Sequence, residues 1–280
     1  MNRPQCRWIL PVLGLLSFHL IGCDTGLHHR RNFVCLIDYS GSMKEEDLHR
    51  YVKVISNNIL GHLEENDRLV VLPIDGASKT EAAKVFYIDM SQRVFSLPTD
   101  GYVHASDSTR KRIHEYVKTI SDDFEQEIHR QKRIRRQFSN YSDIFSALQQ
   151  AGVFVERPIG ESSSFPFSGL FSSRKRFASE NIIILFSDMR HESAEVTFAT
   201  HVGCPPEDVP RILKALKRRS AIPNLSGSKV FVYGRTGRSN TQVDNIENFW
   251  TEYFREANGE LLAYDYEPDN IIVSYLAASQ

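Results

Sequence analysis

Apolar residues along this chain occur either in short continuous runs or in longer stripes at helical spacing. Continuous runs are typical of strands buried on both faces of a parallel sheet, and stripes are typical of amphipathic helices. The runs predict six strands, at 32–37, 68–74, 84–90, 181–186, 229–233 and 261–266. The stripes predict helices after Ser42, over 108–136, from Asp143, over 209–219 and over 241–258. Residues 159–180 are rich in Ser, Phe and Gly, which predicts a loop. This alternation predicts an α/β fold with a doubly wound, mostly parallel central sheet flanked by helices.

The composition is that of a globular protein, since 41% of the 280 residues are hydrophobic and 25% are charged. The net charge of -1 argues against nucleic-acid binding, because a general nucleic-acid binder carries a strong basic excess. Four Cys in a chain of this length do not indicate a disulfide framework. Cys35 and Cys204 could pair in an oxidising compartment, but burial of the predicted strand around Cys35 favours two free thiols.

Residues 1–22 have the pattern of an export signal. Two Arg residues precede an apolar segment over 8–21, and its length of about 14 residues is too short to cross a bilayer. The segment ends in Leu-Ile-Gly before Cys23, which resembles the lipobox of bacterial lipoproteins. An ordinary secretory signal that contains a Cys by chance is the alternative.

The lipobox resemblance implies cleavage before Cys23, lipidation of its thiol and a tether over 23–31. The domain over 32–280 would then be anchored on the extracytoplasmic face of a bacterial membrane. Asp24 resembles the signal that retains lipoproteins in the inner membrane of Gram-negative bacteria, which implies the periplasmic side of that membrane. With so short a tether, Arg30 and Arg31 are expected near anionic headgroups.

Side chains that carry oxygen gather where the first predicted strand ends. Asp38, Ser40 and Ser42 alternate on the turn that leads into the first predicted helix. Ligands of doubly wound sheets bind at the carboxyl ends of the strands. Carboxylate and hydroxyl oxygens are hard ligands that suit Mg²⁺ or Mn²⁺. The turn therefore predicts a site for one of these cations.

The Asp-x-Ser-x-Ser spacing resembles the first motif of the von Willebrand factor A (vWA) domain, whose metal-ion-dependent adhesion site binds a divalent cation. That family places a Thr before a helix that reads roughly Thr-x-Ile-x-x-Ala-Leu, and Ser142 stands at the Thr position here. The family also ends its central strand in an Asp, as Asp188 does after 181–186, but Met189 replaces the Gly that usually follows. The resemblance covers about 32–266.

The resemblance implies that five side chains hold one Mg²⁺ or Mn²⁺, namely those of Asp38, Ser40, Ser42, Ser142 and Asp188. It also implies that a partner protein supplies an Asp or Glu to an open coordination position of the metal. The chain would then be a membrane-anchored adhesion or scaffold module and not an enzyme. His191 and Glu192 are candidate partner-binding residues, with ordinary surface-loop positions as the alternative.

Other interpretations of these residues remain open. The same fold without metal would be a structural subunit of a cell-envelope complex. A phosphatase with an aspartyl nucleophile would carry a second carboxylate where this chain has Ser40, and the sequence contains neither a Gly-x-Ser-x-Gly elbow nor a phosphate-binding glycine loop. Ser42 and Glu45 match a capping box for the first helix, and Asp188 could be a plain turn residue.

Two segments are longer than in a minimal vWA domain, at about 97–139 and 189–210. Because both end beside the predicted metal edge of the sheet, they are expected to determine specificity. Residues 129–136 contain five Arg or Lys. This run is either a solvated helix face or a contact with anionic lipid near the anchor.

Overall fold

The computed structural model describes residues 28–78, 84–92, 105–156, 177–194, 196–266 and 269–278. The strands are β1 (His28–Asp38), β2 (Arg68–Ile74), β3 (Phe86–Asp89), β4 (Phe177–Phe186), β5 (Lys229–Tyr233) and β6 (Glu260–Asp265). The helices are α1 (Glu45–Val54), α2 (Ala105–Arg135), α3 (Ile144–Phe154), α4 (Val209–Arg218), α5 (Asn240–Glu256) and α6 (Asp269–Ala278). A π-helical turn (Ile55–Ile59) and a 3₁₀ turn (Leu60–His62) continue α1.

The six strands form one sheet in the order β3-β2-β1-β4-β5-β6. All neighbours pair in parallel except β3, which is antiparallel to β2. The short connection over 75–85 explains that direction, because a parallel crossover takes about a dozen residues or more. The chain builds the sheet outward from β1 to β3 and then from β4 to β6 on the other side. The predicted doubly wound, mostly parallel sheet is therefore confirmed.

Helices cover both faces of the sheet. Along β1, Phe33, Cys35 and Ile37 contact the layer that contains α1, α2 and α6. Val34 and Leu36 contact the opposite layer, built from α3, α4 and α5. All five side chains are 0% exposed, and full burial of a large apolar side chain contributes about 1.5–3 kcal/mol. Burial on both faces explains why the central strands read as continuous apolar runs.

The two central strands begin earlier than predicted. β1 and β4 pair from His28 and Phe177 onward, so 28–31 and 177–180 belong to the sheet. The first of these segments was predicted as tether and the second as loop, and the structure corrects both boundaries. Residues 1–27, with Cys23 and Asp24, lie outside the described residues, as do 157–176.

Ion pairs explain how polar residues extend β1. Arg31 Nη2 lies 2.6 Å from Asp67 Oδ2, and Arg30 Nη2 lies 2.9 Å from Asp89 Oδ2. Both Arg side chains are buried, so the expectation that they meet lipid headgroups is wrong. A buried charge is tolerated in a strand when it is paired and hydrogen-bonded, and an apolar pattern does not detect such pairing.

The structure also corrects the predictions for the first and the last helix. Lys44 precedes α1 without a side-chain capping bond, so the capping box of Ser42 and Glu45 does not form. The sequence pattern did not predict α6, which buries Ile272 and Leu276 but exposes Ile271 and so lacks a clear apolar stripe. None of the helices in the described ranges is both long and apolar enough to cross a membrane.

Cys35 and Cys204 are both buried free thiols. They lie in the cores on opposite faces of the sheet. Burial raises the pKa of both thiols, that of Cys204 to about 12. Both therefore behave as small apolar core residues.

Candidate functional site

The candidate site lies where the order of the sheet reverses. β1 and β4 are neighbours and run in parallel, so their carboxyl ends meet at one edge. Asp38 is the last residue of β1, and Asp188 follows the end of β4 by two residues. Both side chains are nearly enclosed, since Asp38 is 1% exposed and Asp188 is 9% exposed. A crevice at such a reversal is the usual ligand site of an open α/β sheet.

Three hydroxyl or amide groups donate hydrogen bonds to the Asp38 carboxylate. Ser142 Oγ lies 3.1 and 3.2 Å from the two carboxylate oxygens, although it is 104 residues away in the chain. Ser187 Oγ donates to Oδ2 at 2.8 Å, and the Ser40 amide donates to Oδ1 at 2.8 Å. Three separate loops therefore meet on this carboxylate.

The two remaining predicted ligands connect the carboxylate to the surface. Ser40 Oγ and Ser42 Oγ lie 3.0 Å apart. Ser40 is buried, whereas Ser42 is exposed. The structure thus brings together all five predicted ligand residues, with Asp38 at the base and Ser42 at the opening.

Ser142 is held in place by the start of α3 and by the loop after Asp188. Asp143 caps the helix by accepting from the Ser146 amide at 3.1 Å. The Glu192 amide donates to the Ser142 carbonyl at 3.0 Å, which connects the two loops. The Ile144 amide donates to the same carbonyl at 3.0 Å, and the Ser142 hydroxyl is directed to Asp38 by its own hydrogen bonds.

His191 lies in the core and not at the surface. Its side chain is 0% exposed, and its ring centroid is 4.0 Å from that of Phe145. Nδ1 accepts a hydrogen bond from the Ile144 amide at 3.2 Å, and burial lowers the pKa of His191 to about 4. A neutral, enclosed imidazole does not meet a partner, so its predicted partner-binding role is not supported by this placement. Glu192 is half-buried, and its partner-binding role stays a prediction.

Met189 occupies the position where the vWA family usually has Gly. Its φ of 59° is in the left-handed region that favours glycine, at a cost of about 1–2 kcal/mol for another residue. The Ser187 hydroxyl accepts from its amide at 3.0 Å, and Trp250 Nε1 donates to its carbonyl at 2.9 Å. The buried Met side chain and these bonds retain the sharp turn without a Gly.

The electrostatics of the site favour a cation. Burial, together with the negative charge of Asp188, raises the pKa of Asp38 to about 6 against the opposing hydrogen bonds from Ser40 and Ser187. Arg190 already supplies one positive group, because its Nε and Nη2 lie 2.7 and 2.6 Å from Asp188 Oδ2. The second carboxylate, Asp38, has no such counter-charge among its described neighbours.

The donor set fits a small, hard divalent cation. Two carboxylates and three hydroxyls are oxygen ligands of the kind that Mg²⁺ and Mn²⁺ prefer. A buried carboxylate whose pKa is raised is also the group that gains most from a nearby cation. In the part of the chain that is described, no group of three or more His, Cys, Asp or Glu is placed to hold a metal. Hydroxyls would therefore provide most of the protein ligands.

Sequence reasoning missed two residues of this site, Ser187 and Arg190. Ser187 stands directly before Asp188 at a strand end, so a search of all polar strand-end residues would have found it. Arg190 stands two residues after Asp188, a spacing that lets its amide and guanidinium both reach the carboxylate. No pattern in the sequence distinguishes that pairing from a solvated Arg.

The longer of the two enlarged segments borders the site. The turn after α2 is bonded to the loops after β1 and β2, since Gly41 N lies 2.7 Å from Ser139 O and Gly76 N lies 3.0 Å from Phe138 O. Arg135, in the last turn of α2, reaches into the sheet edge and pairs with the fully buried Asp75 at 2.7 Å. The end of α2 is thus fixed beside Ser40.

The hydrogen bonds of three loops to the Asp38 carboxylate define the site. Comparison with known proteins adds no family to this description: no protein-family model matches the chain, and no curated protein matches it. The vWA resemblance therefore depends on the motifs at Asp38, Ser142 and Asp188, their order in the chain and their common place on the sheet edge.

Proposed function

We propose that this chain is a protein-binding module that depends on a divalent metal and is anchored to a membrane through Cys23. One observation carries the metal-binding part of the proposal. The Ser142 hydroxyl and the Asp38 carboxylate, 104 residues apart, are hydrogen-bonded at the sheet reversal, with Asp188 close enough to raise the pKa of Asp38. That arrangement concentrates negative charge and hydroxyl oxygens in an enclosed place.

Asp38, Ser40, Ser42, Ser142 and Asp188 are the residues that would hold Mg²⁺ or Mn²⁺. The bound cation would supply a positive centre for which a carboxylate from a partner protein is a natural ligand. Asp38 and Asp188 provide the charge that retains the cation, and the hydroxyls fill positions without adding charge. Because the protein contributes only two carboxylates, the site retains affinity for a third from outside.

A metal-free structural subunit is the second candidate, and the Arg190–Asp188 ion pair favours it. The guanidinium neutralises one carboxylate of the site without any metal. The two candidates differ in one measurable respect: the first requires that a divalent cation compete successfully with Arg190, whereas the second requires only that the ion pair persist.

Calorimetric titration of the purified protein with Mg²⁺ and with Mn²⁺ tests the proposal. We expect binding by the wild type and loss of binding in Asp38→Ala. Ser142→Val should weaken binding because the hydroxyl is lost, while Ser142→Thr should retain it. If millimolar metal binds identically to the wild type and to Asp38→Ala, or binds to neither, the structural-subunit candidate takes its place.

A further inference from the structure

A basic cleft adjoins the candidate metal site. It has a volume of about 440 Å³ and lies between the end of α2 and the loop after β1. Its basic wall consists of His129, Lys132, Arg133 and Arg136. The facing wall includes Ser40 and Gly41. Because Ser40 also belongs to the candidate metal site, the cleft borders that site.

The charges of this cleft are unbalanced. Among the described residues that line it, Glu45 is the single carboxylate, and it contacts Lys132 and, at 3.6 Å, His129 Nδ1. Arg133 and Arg136 are exposed, and neither side chain has an ion-pair partner in the described ranges. The negative end of the α2 dipole stabilises cations at this end of the helix, so these residues also contribute to the stability of the helix. Their charge remains available to a ligand.

The basic residues of 129–136 are divided between structure and surface. Arg130 pairs with Glu127 at 2.6 Å on the exposed side of the helix, and Arg135 pairs with buried Asp75. The other members of the run that carry a charge face the cleft. The buried Arg135–Asp75 pair and the backbone hydrogen bonds of the following turn fix the backbone of this wall beside the candidate metal site. A ligand therefore does not have to order that backbone when it binds.

We propose that the cleft binds a second acidic side chain of the same partner, so that the partner's recognition segment carries at least two carboxylates. This inference rests on the proposed function for the first carboxylate. Glu45 already shows that a carboxylate is accepted between Lys132 and His129. Arg133 and Arg136 are the specificity-determining residues, since no carboxylate of the described residues pairs with either of these two cations of the cleft.

The position of the cleft favours a protein segment over a lipid. It opens at the edge where β1 ends, whereas the chain enters the sheet at the opposite edge, where β1 begins at His28. A lipid anchor at Cys23 would lie near that entering edge. Anionic headgroups around the anchor would therefore be a full strand length away from Arg133 and Arg136.

Fluorescence anisotropy with two labelled peptides on the full-length protein tests the inference. One probe is hexaglutamate, and the other is a glycine peptide with a single Glu. In Mg²⁺, we expect the double variant Arg133→Gln/Arg136→Gln to bind hexaglutamate about tenfold more weakly, since each charged contact at a surface contributes modestly. Binding of the single-Glu peptide should not change. The matched control is Lys214→Gln/Arg218→Gln on α4, which removes the same charge from the opposite face of the sheet.

Each outcome separates the cleft from the metal site. Equal hexaglutamate affinity in the wild type and the cleft variant overturns the inference, as does an equal loss in the α4 control. If EDTA and Asp38→Ala leave both peptides unaffected while the cleft variant still loses hexaglutamate, the proposed metal function fails and the cleft remains an acidic-segment site. Binding of glycerol 3-phosphate in the cleft without hexaglutamate binding overturns it in favour of a lipid headgroup.

Discussion

At the scale of single residues, the burial of Asp38 works against the stability of the fold. Its pKa in the folded protein is about 6, above the ordinary 3.8, so the folded state binds the proton more tightly than the unfolded state does. The stability that this group contributes is present below about pH 4 and is lost as the pH rises through 6. Above that pH, the charged carboxylate costs on the order of 2–3 kcal/mol unless a cation offsets it.

We therefore expect Asp38→Asn to be more stable than the wild type at pH 8 in EDTA, by about 2 kcal/mol. The amide has nearly the same shape and carries no charge. Urea unfolding at pH 8 and at pH 4 measures the difference, which should disappear at pH 4. Added Mg²⁺ should stabilise the wild type alone, because only a site that binds metal gains stability from it. A variant less stable than the wild type in EDTA at pH 8 would contradict this account.

Arg190 is the second residue whose effect follows from charge. Its guanidinium lies on the Asp188 carboxylate that a metal would use. Removing it in Arg190→Ala should strengthen Mg²⁺ binding severalfold, because the cation no longer competes with an internal one. Calorimetric titration measures the change, and Arg190→Lys, which keeps the charge without the planar fork, should lie between the two. Weaker metal binding in Arg190→Ala would mean that Arg190 orients Asp188 and does not compete for it.

At the scale of elements, a buried ion pair and a row of apolar side chains both attach α2 to the sheet. Arg135 is 3% exposed and Asp75 is 0% exposed. Arg135→Ala would leave a buried carboxylate without its cation, a change that costs about 3–5 kcal/mol. Chemical denaturation should show that loss, and the double variant Asp75→Asn/Arg135→Gln should recover most of it. A loss below about 1 kcal/mol in the single variant would indicate that α2 is attached mainly by its apolar contacts.

The elements that the sequence predicted are those whose burial leaves a regular pattern. β1, β2, β4 and β5 are continuous apolar runs because helices cover both faces of the sheet, and α5 is a stripe because one face is buried. The first residues of β1 were not predicted because Arg30 and Arg31 are polar and become buried only through ion pairs. Helix α6 was not predicted because it is buried at only a few positions. An ion pair between residues far apart in the chain leaves no pattern in the sequence around either residue.

The same distinction applies to the candidate site. Asp38, Ser142 and Asp188 could be identified because each follows or precedes a recognisable element, and parallel strands bring their ends to one edge. Their hydrogen bonds and the pairing of Arg190 could not, since these depend on the path of loops. His191 shows the opposite failure: its place in a polar loop suggested exposure, but the loop folds inward onto Phe145.

At the scale of the whole molecule, the predicted lipid on Cys23 would determine where the domain is held. One acyl chain binds a membrane only marginally, and several chains bind it firmly. Cys23→Ser should therefore release the protein from membranes or leave it unprocessed. Fractionation and the mass of the mature chain measure both effects. Unchanged membrane association and mature mass in the variant would exclude the lipid anchor, and recovery mainly in the outer membrane of a Gram-negative host would exclude the sorting role of Asp24.

The direction of β1 has a consequence for any partner. β1 begins at His28, five residues after Cys23, and ends at Asp38, so it spans about 35 Å at roughly 3.3 Å per residue. With Cys23 in the bilayer and the strand upright, the site stands several times the Debye length of about 8 Å above the headgroups. In that arrangement, the surface charge of the membrane would neither concentrate Mg²⁺ at the site nor repel an acidic segment. A partner of a chain anchored in this way would have to present its carboxylates well above the lipid.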